Sequence, residues 1–294
     1  MQKDINFGTP QFVNHNGTYL SASEPLFNAD NRAFCYGDAL FETVRITEHT
    51  PQFLALHLKR LFAGMNLLKM QPNTQFSEMF FEHAILKLAQ KNNVTSDGRV
   101  RLTIYRNDGG YYAPDNNNVS YLIEVTALEE QGYMLNSKGY TVDLYTELKK
   151  PQSPLSSIKS ANSAIYVMAG IYKNQHSFDE CLLVNDKGSI TEAISCNIFA
   201  VKNGVLYTSP VTDGCVDGVM RKKIIEIAQA NRIAVYELSI MQSVLLGADE
   251  LFLTNAVNGI RWVVAYKQKR YFNNTSKKLI EKLNELTKQQ NQQA

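Results

Sequence analysis

The sequence predicts a two-domain protein of the α/β class, each half mixing helices and strands in the α+β manner. Three observations carry that expectation. The chain has 294 residues, enough for two ordinary domains. Helical periodicity and strand alternation recur along it without an internal repeat. A polar stretch after residue 128 separates two differently patterned halves. We therefore expect a small N-terminal α/β domain over 1–128, a crossover over 129–154 and a larger C-terminal domain over 155–294.

In chain order, "GTYLSASEPLF" and "FETVRI" read as strands around a loop from Asn28 to Asp38. "LALHLKRLFAGMNLLKM" places Leu54, Leu58, Leu61, Phe62, Met65 and Leu68 on one helical face. "FSEMFFEHAILKLAQKN" repeats the pattern at Phe76, Phe80, Ile85 and Leu88. "GRVRLTIYR" alternates as a strand with Val100, Leu102 and Ile104 on one side, and "SYLIEVTAL" is its partner. Between them "NDGGYYAPDNNN" is a loop that could line or cover a substrate.

In the crossover, "YTVDLYTEL" is strand-like. "KSANSAIYVMAGIYKNQ" opens a helix with Ile165, Met168, Ala169 and Tyr172 inward. Short strands follow, with turns at Asn185–Gly188 and Lys202–Gly204. "DGVMRKKIIEIAQAN" is a helix opening just after Gly218. "IAVYEL", "ELFLTNAV" and "IRWVVAY" are strands, and the tail is an amphipathic helix with Ser276 near its cap.

Hydrophobic content of 44%, charged content of 20% and a formal charge of +2 describe an ordinary globular chain. They offer no dense basic face for nucleic acid. No apolar run approaches the ~18 residues of a membrane helix, and "MQKDINFGTP" lacks a signal-peptide pattern. Cys35, Cys181, Cys196 and Cys215 form no Cys-x-x-Cys pair, and no histidine stands at metal-ligand spacing from them. We expect reduced thiols, no metal and a cytoplasmic location.

Four features could carry chemistry. Lys159 stands in the small, uncharged setting of "SPLSSIKSANSAIY". It is either a snorkelling surface residue or an amine kept for reaction. Glu192, in "GSITEAISCNIF", is either a solvated hairpin residue or a buried acid that needs a cationic partner. "TDGCVDGVMRKK" is either a simple helix start or a set of backbone N–H groups aimed at an anion. Arg60 is either a surface charge or an anion contact on an apolar helix. An amine, an acid and an anion cradle are what pyridoxal phosphate chemistry requires. Spacing alone does not join them.

Read together, "NRAFCYGDALFETVRI", "HLKRL", "IKSANS", "DECLLVNDKGSITEAISCNIFAVKNGVLYTSP", "GCVDGVMRKKIIEIA" and "ELFLTNAVNGI" resemble the class IV aminotransferase family. These are the fold-type IV pyridoxal phosphate enzymes, with a D-amino-acid-aminotransferase-like fold. The matching stretches span most of the chain in the family's order. The resemblance implies a homodimer that acts on a small amino substrate, with pyridoxal 5′-phosphate held by the C-terminal domain. It implies that Lys159 is the Schiff-base lysine and general base, and that Glu192 pairs with the pyridine nitrogen. It implies that Arg60 contacts the phosphate, that Val219 and Met220 give it backbone N–H groups, and that Asn197 shapes the turn after Glu192. Asn255 and Ala256 stand in the family's turn near the phosphate.

The family contains both transaminases and 4-amino-4-deoxychorismate lyases. Gly218-Val219-Met220-Arg221 lacks the threonine that transaminases carry at this helix, and Thr254-Asn255-Ala256 looks like the lyase turn. Asn162-Ser163 replaces the Asn-Tyr of branched-chain enzymes. Arg106 resembles the arginine of the lyase loop and is a candidate for the substrate carboxylate. Tyr111 stands where a basic residue is expected. Tyr111, Tyr112, Tyr36 and Glu42 complete the candidate substrate contacts. These marks make the lyase the expected activity, releasing pyruvate and 4-aminobenzoate for folate synthesis. The alternative is a transaminase of branched-chain or D-amino acids with a 2-oxo acid acceptor.

Overall fold

The computed structural model describes residues 9–293. Its contacts divide the chain into two compact units. The first runs up to Gly132 and adds Ile158–Asn162 and the tail from Thr287. The second is Tyr133–Ser157 with Ser163–Leu286. The chain passes into the second unit at Tyr133, and Ile158–Asn162 and the segment from Thr287 return to the first.

The first unit contains β1 (Phe12–His15), β2 (Thr18–Ser21), α1 (Arg32–Tyr36), β3 (Ala39–Thr47) and β4 (Thr50–Pro51). It continues with α2 (Leu54–Leu67), α3 (Glu78–Lys91), β5 (Gly98–Arg106) and β6 (Val119–Ala127). The six strands form an antiparallel sheet in the order β2-β1-β6-β5-β3-β4. Val100, Leu102 and Ile104 are fully buried, as their alternation predicts, and meet Leu58, Leu61 and Met65 of α2 in one core. On α3 the buried face is Phe81, Ala84, Ile85 and Leu88, so Phe81 takes the place expected for Phe80. The expected loop from Asn28 to Asp38 holds α1, capped by the Asn31 side chain. The Lys159 segment extends this sheet locally. Phe41 N donates to Lys159 O and Ala161 N to Ala39 O, each at 2.9 Å.

The second unit contains β7 (Tyr140–Lys150), α4 (Ala164–Gln175), β8 (Glu180–Asn185), β9 (Ile190–Ala193), β10 (Asn197–Lys202) and β11 (Val205–Thr208). After them come α5 (Val219–Ala230), β12 (Val235–Glu237), α6 (Gln242–Gly247), β13 (Glu250–Asn255), β14 (Gly259–Tyr266), β15 (Lys269–Arg270) and α7 (Asn274–Gln293), whose residues from Thr287 belong to the first unit. The mixed sheet runs β12-β11-β10-β13-β14-β7-β8-β9, with β15 beside β14. The expected turn at Lys202–Gly204 is a tight hairpin, with left-handed backbone at Asn203 and Gly204. One expectation changes: of the predicted α4 face only Ala169 is fully buried, and Met168 is exposed. Ser276 lies in the first turn of α7, where the Glu250 carboxylate accepts from Thr275 N at 2.9 Å and Ser276 N at 3.3 Å.

Candidate active site

In the first unit, two cations meet over one ring of β3, one from β5 and one from the Ile158–Asn162 segment. Lys159 Nζ lies 4.4 Å from the centroid of Phe41, and the Arg101 guanidinium carbon lies 3.9 Å from the same ring. Lys159 is half-buried. Arg101 alternates with Val100 and Leu102 and so projects from the face opposite the core. Burial lowers the pKa of Arg101, and Glu124, 3.9 Å away, counteracts this. A half-buried guanidinium so placed suits a carboxylate ligand.

Arg60 is tied to Glu42. Its Nε and Nη2 reach the two carboxylate oxygens at 2.8 and 2.5 Å, and His57 Nδ1 lies 2.7 Å from Oε2. Burial opposes the charge of Glu42, but Arg60 and His57 outweigh it and hold the carboxyl at about 2. Burial lowers the pKa of His57 despite Glu42, so the imidazole is neutral and Nδ1–H donates. Glu42 was expected among the substrate contacts. At 1% exposure, with both oxygens engaged, it instead orients Arg60.

Arg106 also departs from expectation. Its Nε donates to Asp38 at 2.8 Å and Nη2 to Leu68 O at 2.8 Å, and Nη1 bonds Asn117. A buried guanidinium bonded at all three nitrogens latches loops together. The Gly-Gly-Tyr-Tyr loop is clamped as well. Arg32 Nη1 donates to Gly109 O, Gly110 O and Tyr111 O at 3.0, 3.1 and 2.6 Å. Tyr111 and Tyr112 are strongly exposed, and the ring of Tyr112 meets half-buried Tyr36 at 5.6 Å.

The second unit gathers the acid and the anion cradle through one loop residue. Glu192 lies on β9, 3% exposed. Val216 N donates to Glu192 Oε2 at 2.9 Å, and Val216 O accepts from Asn197 Nδ2 at 2.9 Å. Asn197 therefore holds the loop that leads into α5. Among the described residues no side chain caps α5, whose first residues are Val219 and Met220. Its N-terminal N–H groups suit a phosphate. A Cβ on Gly218 would stand 1.9 Å from Asn197 Oδ1, so only glycine lets the loop pass this close. Thr254, opposite Asn197 in the ladder, has a buried Oγ1 without a hydrogen-bond partner among the described residues. These features fit an anionic group at the start of α5.

Asn255 and Ala256 are occupied otherwise. Asn255 Oδ1 accepts from Val257 N and Asn258 N at 3.1 and 2.7 Å, and Nδ2 meets Cys196 Sγ at 3.2 Å. Ala256 O accepts from Tyr133 at 3.1 Å.

Sequence reasoning missed Arg101, Lys150 and Tyr166. Alternation on β5 could have singled out Arg101. Lys150 and Tyr166, both bonded to Glu192, stand 42 and 26 residues from it, and no local pattern links them. Among the described residues no His/Cys/Asp/Glu cluster could hold a metal, and no helix is long and apolar enough to cross a membrane.

The sequence profile described as amino-transferase class IV matches residues 39–266. The chain belongs to the class IV aminotransferase family. A Methanocaldococcus jannaschii protein named as a branched-chain-amino-acid aminotransferase is 29% identical, over 81% of this chain and 82% of its own. The aminodeoxychorismate lyase of Bacillus subtilis is 27% identical over 82% of each. The T.th. branched-chain amino acid aminotransferase, solved with pyridoxamine 5′-phosphate, shares the fold with a TM-score of 0.82. Its identity is 22%, over 92% of each chain. Pyridoxal 5′-phosphate is the cofactor of this family.

Proposed function

We propose that the protein is a pyridoxal phosphate enzyme that transfers an amino group from an amino acid to a 2-oxo acid. When bound, the cofactor supplies the electron sink that makes the substrate Cα–H acidic. Lys159 is the amine that holds the cofactor and the base that moves the Cα proton. Glu192 faces the ring nitrogen as its acid partner. The first N–H groups of α5, with Arg60 oriented by Glu42, hold the phosphate. Arg101 receives a substrate carboxylate.

One observation supports transfer over the expected lyase activity. The residues that pointed to a lyase have structural employment: Arg106 is spent on Asp38, Asn117 and Leu68, and Asn255 on its own turn. Met220, buried where a transaminase threonine would stand, favours the 4-amino-4-deoxychorismate lyase as the second reading. The same family reading makes the protein a cytoplasmic homodimer.

The test is a pair of assays on one preparation reconstituted with pyridoxal phosphate. One receives L- and D-amino acids with 2-oxoglutarate or pyruvate, the other aminodeoxychorismate. Amino transfer is expected in the first, and Arg101→Gln should raise KM there roughly tenfold or more through loss of a charged hydrogen bond. Pyruvate and 4-aminobenzoate in the second assay alone would overturn the proposal and restore the lyase.

A further inference from the structure

The structure assigns a role to a second lysine. We infer that Lys150 is the counter-ion of Glu192 and competes for that carboxylate with the ring nitrogen of the cofactor. Lys150 is then a positioning residue for the proposed reaction, and the inference rests on the pyridoxal phosphate reading.

Lys150 ends β7 and is 3% exposed, an unusual place for a lysine unless it is paired. Its Nζ bonds Glu192 Oε1 and lies 2.6 Å from the Tyr166 hydroxyl. Tyr166 Oη donates to the same Glu192 oxygen at 2.8 Å, and Val216 N takes the other at 2.9 Å. Burial pushes the Tyr166 phenol up, so it stays a neutral donor. Glu192 thus receives hydrogen bonds from a cation, a phenol and an amide, all of which favour its ionised form. That solves a folding problem. An unpaired buried carboxylate would be costly, and truncating one partner of such a pair is strongly destabilising. It also creates a competition. One negative charge in a desolvated site neutralises one cation, so a pyridinium reaching Glu192 must weaken the hold of Lys150. The energetic coupling between Lys150 and Glu192 should therefore fall when the cofactor binds.

A double-mutant cycle measures that coupling. Wild type, Lys150→Met, Glu192→Gln and the double variant are melted with and without saturating pyridoxal phosphate. Without it, the double variant should be at least about 4 °C more stable than additivity predicts, the size of shift one to two kcal/mol produces. With it, the non-additivity should fall by half or more. Lys150→Gln carries the cycle if Lys150→Met does not fold. Lys150→Arg, which keeps the charge, should melt like wild type without the cofactor. Coupling that is absent without pyridoxal phosphate, or unchanged by it, overturns the competition. Wild type that gains no visible absorbance from pyridoxal phosphate overturns the cofactor reading itself, so the two failures are distinguishable.

Discussion

At Glu42, burial and two basic neighbours pull in opposite directions, and the neighbours win. Its carboxyl sits at about 2 against an ordinary 4.5. A carboxyl lowered on folding adds stability that is fully present above its unfolded pKa and lost as pH falls through the folded one. For Glu42 that window lies between 4.5 and about 2. The shift corresponds to stabilisation on the order of 3 kcal/mol at neutral pH. Glu42→Gln should therefore lose stability relative to wild type at pH 7, and the deficit should shrink as pH drops below 4.5. Denaturant unfolding of both proteins across that range measures it. An equal deficit at pH 3 and pH 7 would remove the ion pair as the cause. Side-chain chemistry made Lys159, Arg60 and Glu192 visible as candidates in the sequence. It could not sort Arg106 from Arg101. An arginine on a strand reads alike whether it serves a substrate or, as Arg106 does, an aspartate 68 residues away.

The element proposed to hold the phosphate is α5 with the loop before it. Gly218 was legible as a helix start, because a glycine ahead of an amphipathic run is a local signal. Its real constraint was not local. The side chain of Asn197, from β10, occupies the space a Cβ would need. Gly218→Ala must push the loop or Asn197 aside, moving Val216 and with it one hydrogen bond to Glu192. We expect Gly218→Ala to fold, because the core face of α5 at Ile224, Ile227 and Ala228 is untouched. We expect it to bind pyridoxal phosphate at least about tenfold more weakly, as lost charge-assisted bonds to a helix start imply. Titration by visible absorbance reads this directly, and wild-type affinity would show that the loop does not set the cradle. The partner of the first α7 N–H groups was hidden for a similar reason. They are met by Glu250, which a sequence window centred on Ser276 does not contain.

On the scale of the whole chain, the hydrophobic patterns were legible and the path between the two units was not. Each unit has its own core, one around Leu102, Ile85 and Leu61, the other around Ile198, Leu253 and Val263. Periodicity finds such cores because burial repeats along each helix and strand. It does not register that five residues, Ile158–Asn162, leave the second unit to join the first. Ile158 makes that excursion specific. It is 8% exposed within the first core, and its γ-methyl stands near Gly64 of α2. Burial of Ile158 and the backbone bonds of Lys159 and Ala161 to β3 together fix where the Lys159 side chain starts. Ile158→Ala should cost the first core about 2–4 kcal/mol. Because the second core shares no atoms of this side chain, the loss should be local. Hydrogen exchange would then quicken in β3 and β5 while β10 and β13 keep their protection. Equal quickening in both sheets would mean that the cores unfold as one, and that Lys159 is positioned by the cooperativity of the whole chain and not by the first core alone.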